Sequence, residues 1–407
     1  MVFSVLLTAM LALNPSAEGA QASAPLTHAD AVQIANDGRH AEALAAFQRL
    51  ASMNPADHDA RLWVARLHSR MGQWDLAESV YRSVLLEDPN NADAAAGVAA
   101  ALLARDEPQQ ALELLESAVR LAPSNDEIPA LMGRAHEQSG RSTEAMTYYA
   151  RAAGMAPTAP RRLALEGARR SYLHRIEVRG VTEQFSDTTP DARNGDLSLN
   201  IRLSDELRVI ARGQVQRRFE LTEQRGGGGV EWRWKPTTTL RGQALIGPDN
   251  LVMPESDVLG EVEHTFHGVT WIGTLRRYGF AGVRTTLISP AVDWMPTDRW
   301  SMALRYALSF TDIGTTIAME AGQSVHIRPA YRLLSRVWIQ GAYANGVEDF
   351  ENFSIDRIGD FRAHTLSGGI RVNLPQLTTI VAGYERQWRR QDDVTLGRAT
   401  LSLVQRF

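Results

Sequence analysis

Arginine carries almost all the cationic chemistry of this 407-residue chain: Lys and Arg together number 43, and Lys235 is the sole lysine. In the second half, Arg202, Arg233, Arg305, Arg328, Arg332 and Arg371 recur at alternate positions of segments whose other positions are apolar. A guanidinium stays charged at any physiological pH and offers a planar fork of donors to an acidic group. Lining an enclosed passage, such a set would guide an acidic polymer. Paired across strands with Glu231, Glu261, Glu263, Asp293 and Glu385, it would instead fill a closed interior, and the sequence leaves both readings open. Other chemistry is thin. Cysteine is absent, which removes disulfides, thiolate zinc sites and thiol nucleophiles. His40, His58, His68 and His136 show no metal-ligand spacing, and Ser324 and His326 lie two apart without an identifiable acid partner. Glu348, Asp349, Glu351, Asp356 and Asp360 read as a solvated loop. No catalytic residue, metal or cofactor is therefore expected, and the chain is not read as an enzyme. The small net charge of −4, without a basic run, argues against a nucleic-acid partner.

The segments that hold these arginines alternate with period two, as strands with one apolar face do. Trp300, Met302, Leu304, Tyr306, Leu308 and Phe310 alternate with Ser301, Ala303, Arg305, Ala307 and Ser309. Val325, Ile327, Pro329, Tyr331 and Leu333 alternate with Ser324, His326, Arg328, Ala330 and Arg332. Leu197, Leu199, Ile201 and Leu203, and later Leu366, Ile370, Val372 and Leu374, do the same. Arginine recurring on the polar face, aromatics near strand ends, and short connectors alternating with long ones together predict a transmembrane barrel rather than a soluble sandwich. The short turns are expected in the periplasm and the long loops outside. About fourteen antiparallel strands fit, or twelve if the weak segments near Val258 and Val283 do not both span.

The first half repeats. Pro55, Pro89, Pro123 and Pro157 are spaced by 34 residues, as are Ala43, Ala77, Ala111 and Ala145. Phe47, Tyr81, Leu115 and Tyr149 keep the same interval, and the turn position reads Gly38, Gly72, Asp106 and Gly140. Each unit should be a helical pair: the turn residue accepts a left-handed backbone, alanine lets the helices approach, and proline stops the second helix. Together with Gly133 as a small residue in a first helix, this resembles the tetratricopeptide repeat (TPR), a solenoid of about four units whose concave groove binds a protein. No segment approaches the ~20 apolar residues of a transmembrane helix. Val2 to Leu13 instead form a signal-peptide-like apolar run with an A-x-A site at Ala20-Gln21-Ala22. The expected division is 1–22 signal peptide, 24–170 TPR domain in the periplasm, and 171–407 outer-membrane barrel. The expected fold class is accordingly α + β multidomain.

Several stretches of the second half carry a family resemblance: Glu231-Trp232-Arg233-Trp234, Ser289-Pro290 to Asp298-Arg299-Trp300, Arg305-Tyr306, Tyr343 to Phe350, and Arg398 to Phe407. They resemble the YaiO family of outer-membrane β-barrels, and the terminal aromatic Phe407 resembles the signal read by the outer-membrane assembly machinery. TPR followed by barrel is also similar to the secretion proteins for cellulose and poly-N-acetylglucosamine. The resemblance implies an outer-membrane location and a role in polysaccharide export or envelope assembly. The expected partners are the outer-membrane lipid bilayer, a periplasmic protein in the TPR groove, and a polysaccharide. The alternative is a membrane-anchored TPR scaffold that recruits a periplasmic protein while its barrel does not conduct.

Overall fold

The computed structural model describes residues 27–312, 320–346, 363–389 and 394–407. The expected signal peptide, the acidic loop residues and part of the Tyr343–Phe350 stretch lie outside them. Among the described residues, nine helices precede fourteen strands. The chain divides into two compact units after Arg105.

The first unit holds α1 (His28–Asn36), α2 (His40–Met53), α3 (His58–Arg70), α4 (Trp74–Glu87) and α5 (Ala92–Ala104). Helix starts are written locally: Thr27 forms a capping box with Asp30, and Asp57 and Asn91 accept the backbone N–H of Ala60 and Ala94. Gly38 and Gly72 turn the chain at φ 81° and 75°. Pro55 and Pro89 follow C-caps Asn54 and Asp88 that are already out of helical geometry, with ψ of 89° and 88°. Proline disfavours helical backbone in the residue before it, so each second helix stops there. Ala31, Ala43, Phe47, Ala60 and Leu67 are sealed in one core, where Phe47 stacks on Trp63 at 5.1 Å. Ala77 is fully buried.

The second unit begins with α6 (Pro108–Leu121), α7 (Glu127–Gln138), α8 (Ser142–Met155) and α9 (Ala159–Tyr172). Asp106 and Gly140 hold the turns at φ 62° and 76°, and Pro123 and Pro157 again follow the C-caps Ala122 and Ala156. Ala111 and Ala145 are buried between helices. A Cβ at Gly133 would sit 2.7 Å from the Tyr149 ring, which explains the small residue there. The N-terminal helices are thus TPR units.

The strands are β1 (Arg175–Phe185), β2 (Ala192–Arg202), β3 (Leu207–Arg218), β4 (Leu221–Lys235), β5 (Thr238–Ile246), β6 (Ser256–Phe266) and β7 (Val269–Phe280). They continue as β8 (Val283–Thr297), β9 (Trp300–Asp312), β10 (Glu320–Leu334), β11 (Val337–Gly346), β12 (Ala363–Asn373), β13 (Thr378–Arg389) and β14 (Thr395–Arg406). Each pairs antiparallel with its neighbours, and β1 closes on β14 from Arg175↔Arg406 to Phe185↔Leu396. The weak segments near Val258 and Val283 both form strands, β6 and β8, so the barrel has fourteen and not twelve.

Connectors at the near rim, where β1 begins, are all short: 203–206, 236–237, 267–268, 298–299, 335–336 and 374–377. At the far rim the described connectors 186–191 and 247–255 are longer, as expected, but two others depart from the pattern. Phe219-Glu220 and Ala281-Gly282 are two-residue hairpins. Both residues of the first have positive φ, 51° and 64°, which is the primed turn geometry that matches strand twist. The segment between β5 and β6, expected as an outer loop, folds in part inward. Glu223 accepts the backbone N–H groups of Leu251, Val252 and Met253, and Asn250, Val252 and Met253 are buried.

Candidate functional site

Burial fixes which strand face points inward. Glu183, Asn200, Gln214, Arg225, Asp257, Arg276, Ser289, Ser309, Ser324, Thr365, Gln387 and Arg398 are buried, while their chain neighbours are largely exposed. The opposite face is an apolar belt: Leu197, Val215, Val262, Leu275, Ile288, Leu304, Ile327, Leu366 and Leu401 are all exposed. Trp232, Trp234, Phe266, Trp271, Trp294 and Trp300 gather on that outer face at the near rim, across β4, β6, β7, β8 and β9. The candidate site is the enclosed interior, the lumen.

The register places all six candidate arginines on the inward face, in three different settings. Arg202 and Arg233 are at the near rim and grip the helices. Arg202 donates to Ser142 Oγ (3.1 Å), Ser171 O (3.3 Å) and Tyr172 O (3.4 Å), and its guanidinium lies 4.4 Å from the Tyr172 ring centroid. Arg233 donates to Ser142 Oγ at 3.2 Å. Arg208 reaches Ser171 O and Tyr172 O, and Arg406 donates to Arg170 O at 2.9 Å. The last carbonyls of α9 have no intrahelical partner, and the partial negative charge at a helix C-terminus favours cations there. Four guanidiniums therefore clamp α8 and α9 to the near rim. Arg170 returns the contact, donating to Thr379 Oγ1 (3.0 Å) and Leu374 O (3.1 Å).

Arg332 and Arg371 form a second setting. They flank Trp338, with guanidinium carbons 5.9 Å and 4.9 Å from its ring centroid, in one cross-strand row over β10, β11 and β12. Arg305 and Arg328 form the third, further from the near rim. Arg305 lies opposite His326, and Arg328 lies opposite Ala303. Ser324 Oγ and His326 Nε2 approach to 3.2 Å, both on the inward face.

Glu231, Glu261, Glu263 and Glu385 are paired, but by arginines outside the candidate set, and Asp293 makes no ion pair among the described residues. Arg241 bridges Glu231 and Glu261 at 2.9 Å each, and Arg398 bridges Glu183 (2.9 Å) and Glu385 (2.7 Å). Arg212 holds Asp196 (2.6 Å), Arg218 holds Glu183 (2.6 Å), and Arg225 and Arg276 share Asp257 (3.1 and 2.7 Å). Sequence reasoning missed these six cations and Trp338. On β3 and β4 the outward positions include Ala211, Gly213, Arg217, Gly226 and Gly228, so no apolar run marks the alternation. Trp338 breaks the expectation that aromatics face outward. Its one available signal is register against Arg332 and Arg371.

The two walls of the lumen consequently differ. From β13 through β1 to β7 the middle of the interior is a network of paired charges. From β8 to β12 it carries small side chains and arginines, and among the described side chains Asp293 is its one carboxylate. Among the described residues no group of acidic, His or Cys side chains could hold a metal ion.

The tetratricopeptide-repeat family profile matches residues 36–101 and 102–168. The chain is 29% identical over 184 residues to the cellulose synthase operon protein C of Pseudomonas fluorescens (strain SBW25), covering 41% of this chain and 14% of that protein. It is 32% identical over 109 residues to the probable biofilm formation methyltransferase WspC of Pseudomonas aeruginosa, covering 26% of each. It thus spans about a seventh of the first relative's length and a quarter of the second's. Among solved structures, a bacterial polysaccharide outer membrane secretin aligns at 13% identity and a TM-score of 0.42, over 58% of this chain and 98% of that one.

Proposed function

We propose that this chain is an outer-membrane component of polysaccharide export, of the YaiO type, with its TPR units in the periplasm and its barrel as the exit conduit. The observation that carries this reading is the inside-out barrel: a closed wall with an exposed apolar belt, an aromatic girdle and a charged interior. Apolar surface of that extent is stable only against lipid, and closure satisfies every strand without an open edge. Lys235, a near-rim residue beside the girdle, extends the interfacial pattern; its ammonium lies 4.9 Å from the Trp234 ring centroid. The cellulose-operon relative supports the cargo class, and the TPR groove is the proposed surface for a periplasmic synthase or accessory protein. No catalytic step is assigned to the chain.

The scaffold reading has one observation in its favour, the cross-strand ion pairs that occupy the β1–β7 side. A planar lipid bilayer separates the two. Full-length protein should open steady conductance steps, and a strain lacking the gene should lose surface polysaccharide while the barrel of a 24–160 deletion still inserts. A barrel that never conducts, with surface polysaccharide unchanged in the deleted strain, would leave the scaffold.

A further inference from the structure

Arg305, Arg328 and Arg371 of the β9–β12 wall differ from the mid-lumen arginines Arg212, Arg218, Arg225, Arg241, Arg276 and Arg398, each of which holds a carboxylate. Among the described residues no acidic side chain lies within ion-pairing distance of Arg305, Arg328 or Arg371. The Arg371 Nε is buried without a hydrogen-bond partner. Arg332 reaches a single carboxylate, Asp298 at 3.8 Å, whose side chain is 94% exposed on the near-rim turn. Arg305 and Arg371 are half-buried, and a half-buried cation with no partner is costly unless something else supplies the negative charge. On the opposite wall the mid-lumen arginines are neutralised by Asp196, Glu183, Asp257, Glu261 and Glu385.

The geometry of these cations is that of a track. Arg332, Trp338 and Arg371 stand in one row at the near rim. Arg328 follows on the same strand, and Arg305 lies opposite His326, diagonal to Arg328. Six residues of β10 separate the row of Arg332 from that of Arg305, roughly 20 Å at a strand's rise. Between them the inward positions besides Arg328 are Ser301, Ala303, Ala330, Gln340, Ala342, Ser367 and Gly369, all small except Gln340, which leaves room along the wall. Trp338 presents an aromatic ring inside the barrel, between two guanidiniums. An apolar ring face beside cationic forks matches a sugar ring that bears an acid: the ring stacks and the acid accepts charge-assisted hydrogen bonds.

We propose that the β9–β12 wall binds and guides an anionic polysaccharide, entering at the Arg332–Trp338–Arg371 bracket and passing Arg328 and Arg305. This rests on the export reading above and narrows its cargo to acid-bearing chains.

The test uses purified full-length protein and oligogalacturonate as the anionic probe, with dextran of matched length as the neutral one. Native protein should bind oligogalacturonate and not dextran, more weakly as salt rises. The combined variant Arg305→Gln, Arg328→Gln and Arg371→Gln should bind about tenfold more weakly or worse, the loss of at least one charge-assisted hydrogen bond. Trp338→Leu should weaken binding while leaving the salt dependence in place, because it removes stacking and no charge. The control Arg217→Gln with Arg277→Gln removes cations from the outward face and should leave binding as it is. All variants are first checked for heat-modifiable migration, so that a collapsed barrel is not read as lost binding. In a bilayer, oligogalacturonate added to the TPR side should block current in the native pore more than in the triple variant. Equal binding of both probes, or native-like binding by the triple variant, overturns the proposal. If the pore conducts in that case, export of a neutral polymer stands. A sealed barrel would instead remove the export reading, and this track with it.

Discussion

The helical repeats and the barrel are built from the same two ingredients with opposite sense. In the first unit Phe47 and Leu67 are fully buried, and the ion pairs sit outside, as with Arg61 and Glu87, whose carboxylate side chain is 51% exposed. In the barrel Glu183 is fully buried between Arg218 and Arg398, while Trp271 and Leu401 are 56% and 60% exposed. The difference teaches where stability comes from in each. Water drives the apolar repeat core together, so packing decides its strength. On the proposed membrane reading, lipid offers the barrel no such drive, so closed strand pairing and charge neutralised inside carry more of the burden.

Breaking that comparison should be hardest on the interior of each region. Phe47→Ala removes a fully buried ring stacked on Trp63 and should cost about 3–5 kcal/mol, read as a lower melting point of the helical circular-dichroism signal. The barrel equivalent is Glu183→Gln, which leaves two guanidiniums facing a neutral amide. Breaking such a buried pair typically costs about 3–5 kcal/mol, and heat modifiability should appear at a lower temperature with the repeats untouched. An unchanged transition would mean that the interior pairs are incidental to barrel stability.

Leu366→Arg sharpens the contrast from the outer face. On the mid-belt it should cost about 2–4 kcal/mol in lipid vesicles titrated with urea, whereas a surface arginine on the repeats costs little. A barrel indifferent to that substitution would not be lipid-facing there. Ala111→Trp tests helix approach in the third repeat. Overpacking should cost about 1–3 kcal/mol in the helical transition while the barrel still assembles, and polymer secretion should fall with it. Normal secretion would uncouple the repeats from export.

The smallest effect concerns pH. Burial alone would raise the Glu78 carboxyl, but hydrogen bonds and charge from Arg105 and Arg82 outweigh it and hold it below the ordinary carboxylate range. Because the folded value is depressed, the stabilisation is present above the ordinary glutamate pKa and is lost as pH falls through the depressed one. Glu78→Gln should therefore be slightly less stable at neutral pH, by less than about 1 kcal/mol because both arginine partners reach solvent, and the gap should close in acid. A gap that persists at low pH would assign the effect to packing.

The repeat architecture was readable because its determinants are local. A proline two residues beyond each second helix and a left-handed turn residue act on their own neighbours, and each was found at its expected place. Strand existence was legible for the same reason, since alternation is a property of one strand. The Phe219-Glu220 hairpin was not, because neither residue type announces positive φ. The ion pairs were harder still. Which arginine meets Glu231 depends on the register of β3, β4 and β5, and register is a property of the assembled sheet.

By itself, then, the sequence determined the TPR units, the strand segments and the inward side of the six arginines, since periodicity alone sets face. Tertiary structure decided what those arginines do. Closure brought Arg202 and Arg233 against the end of α9, set Trp338 between Arg332 and Arg371, and gave the carboxylates to Arg241 and Arg398, leaving Arg305 and Arg328 unpaired among the described residues. The physical reason is that a side chain's face is set by its own backbone, whereas its partner is set by the strand that folding places beside it.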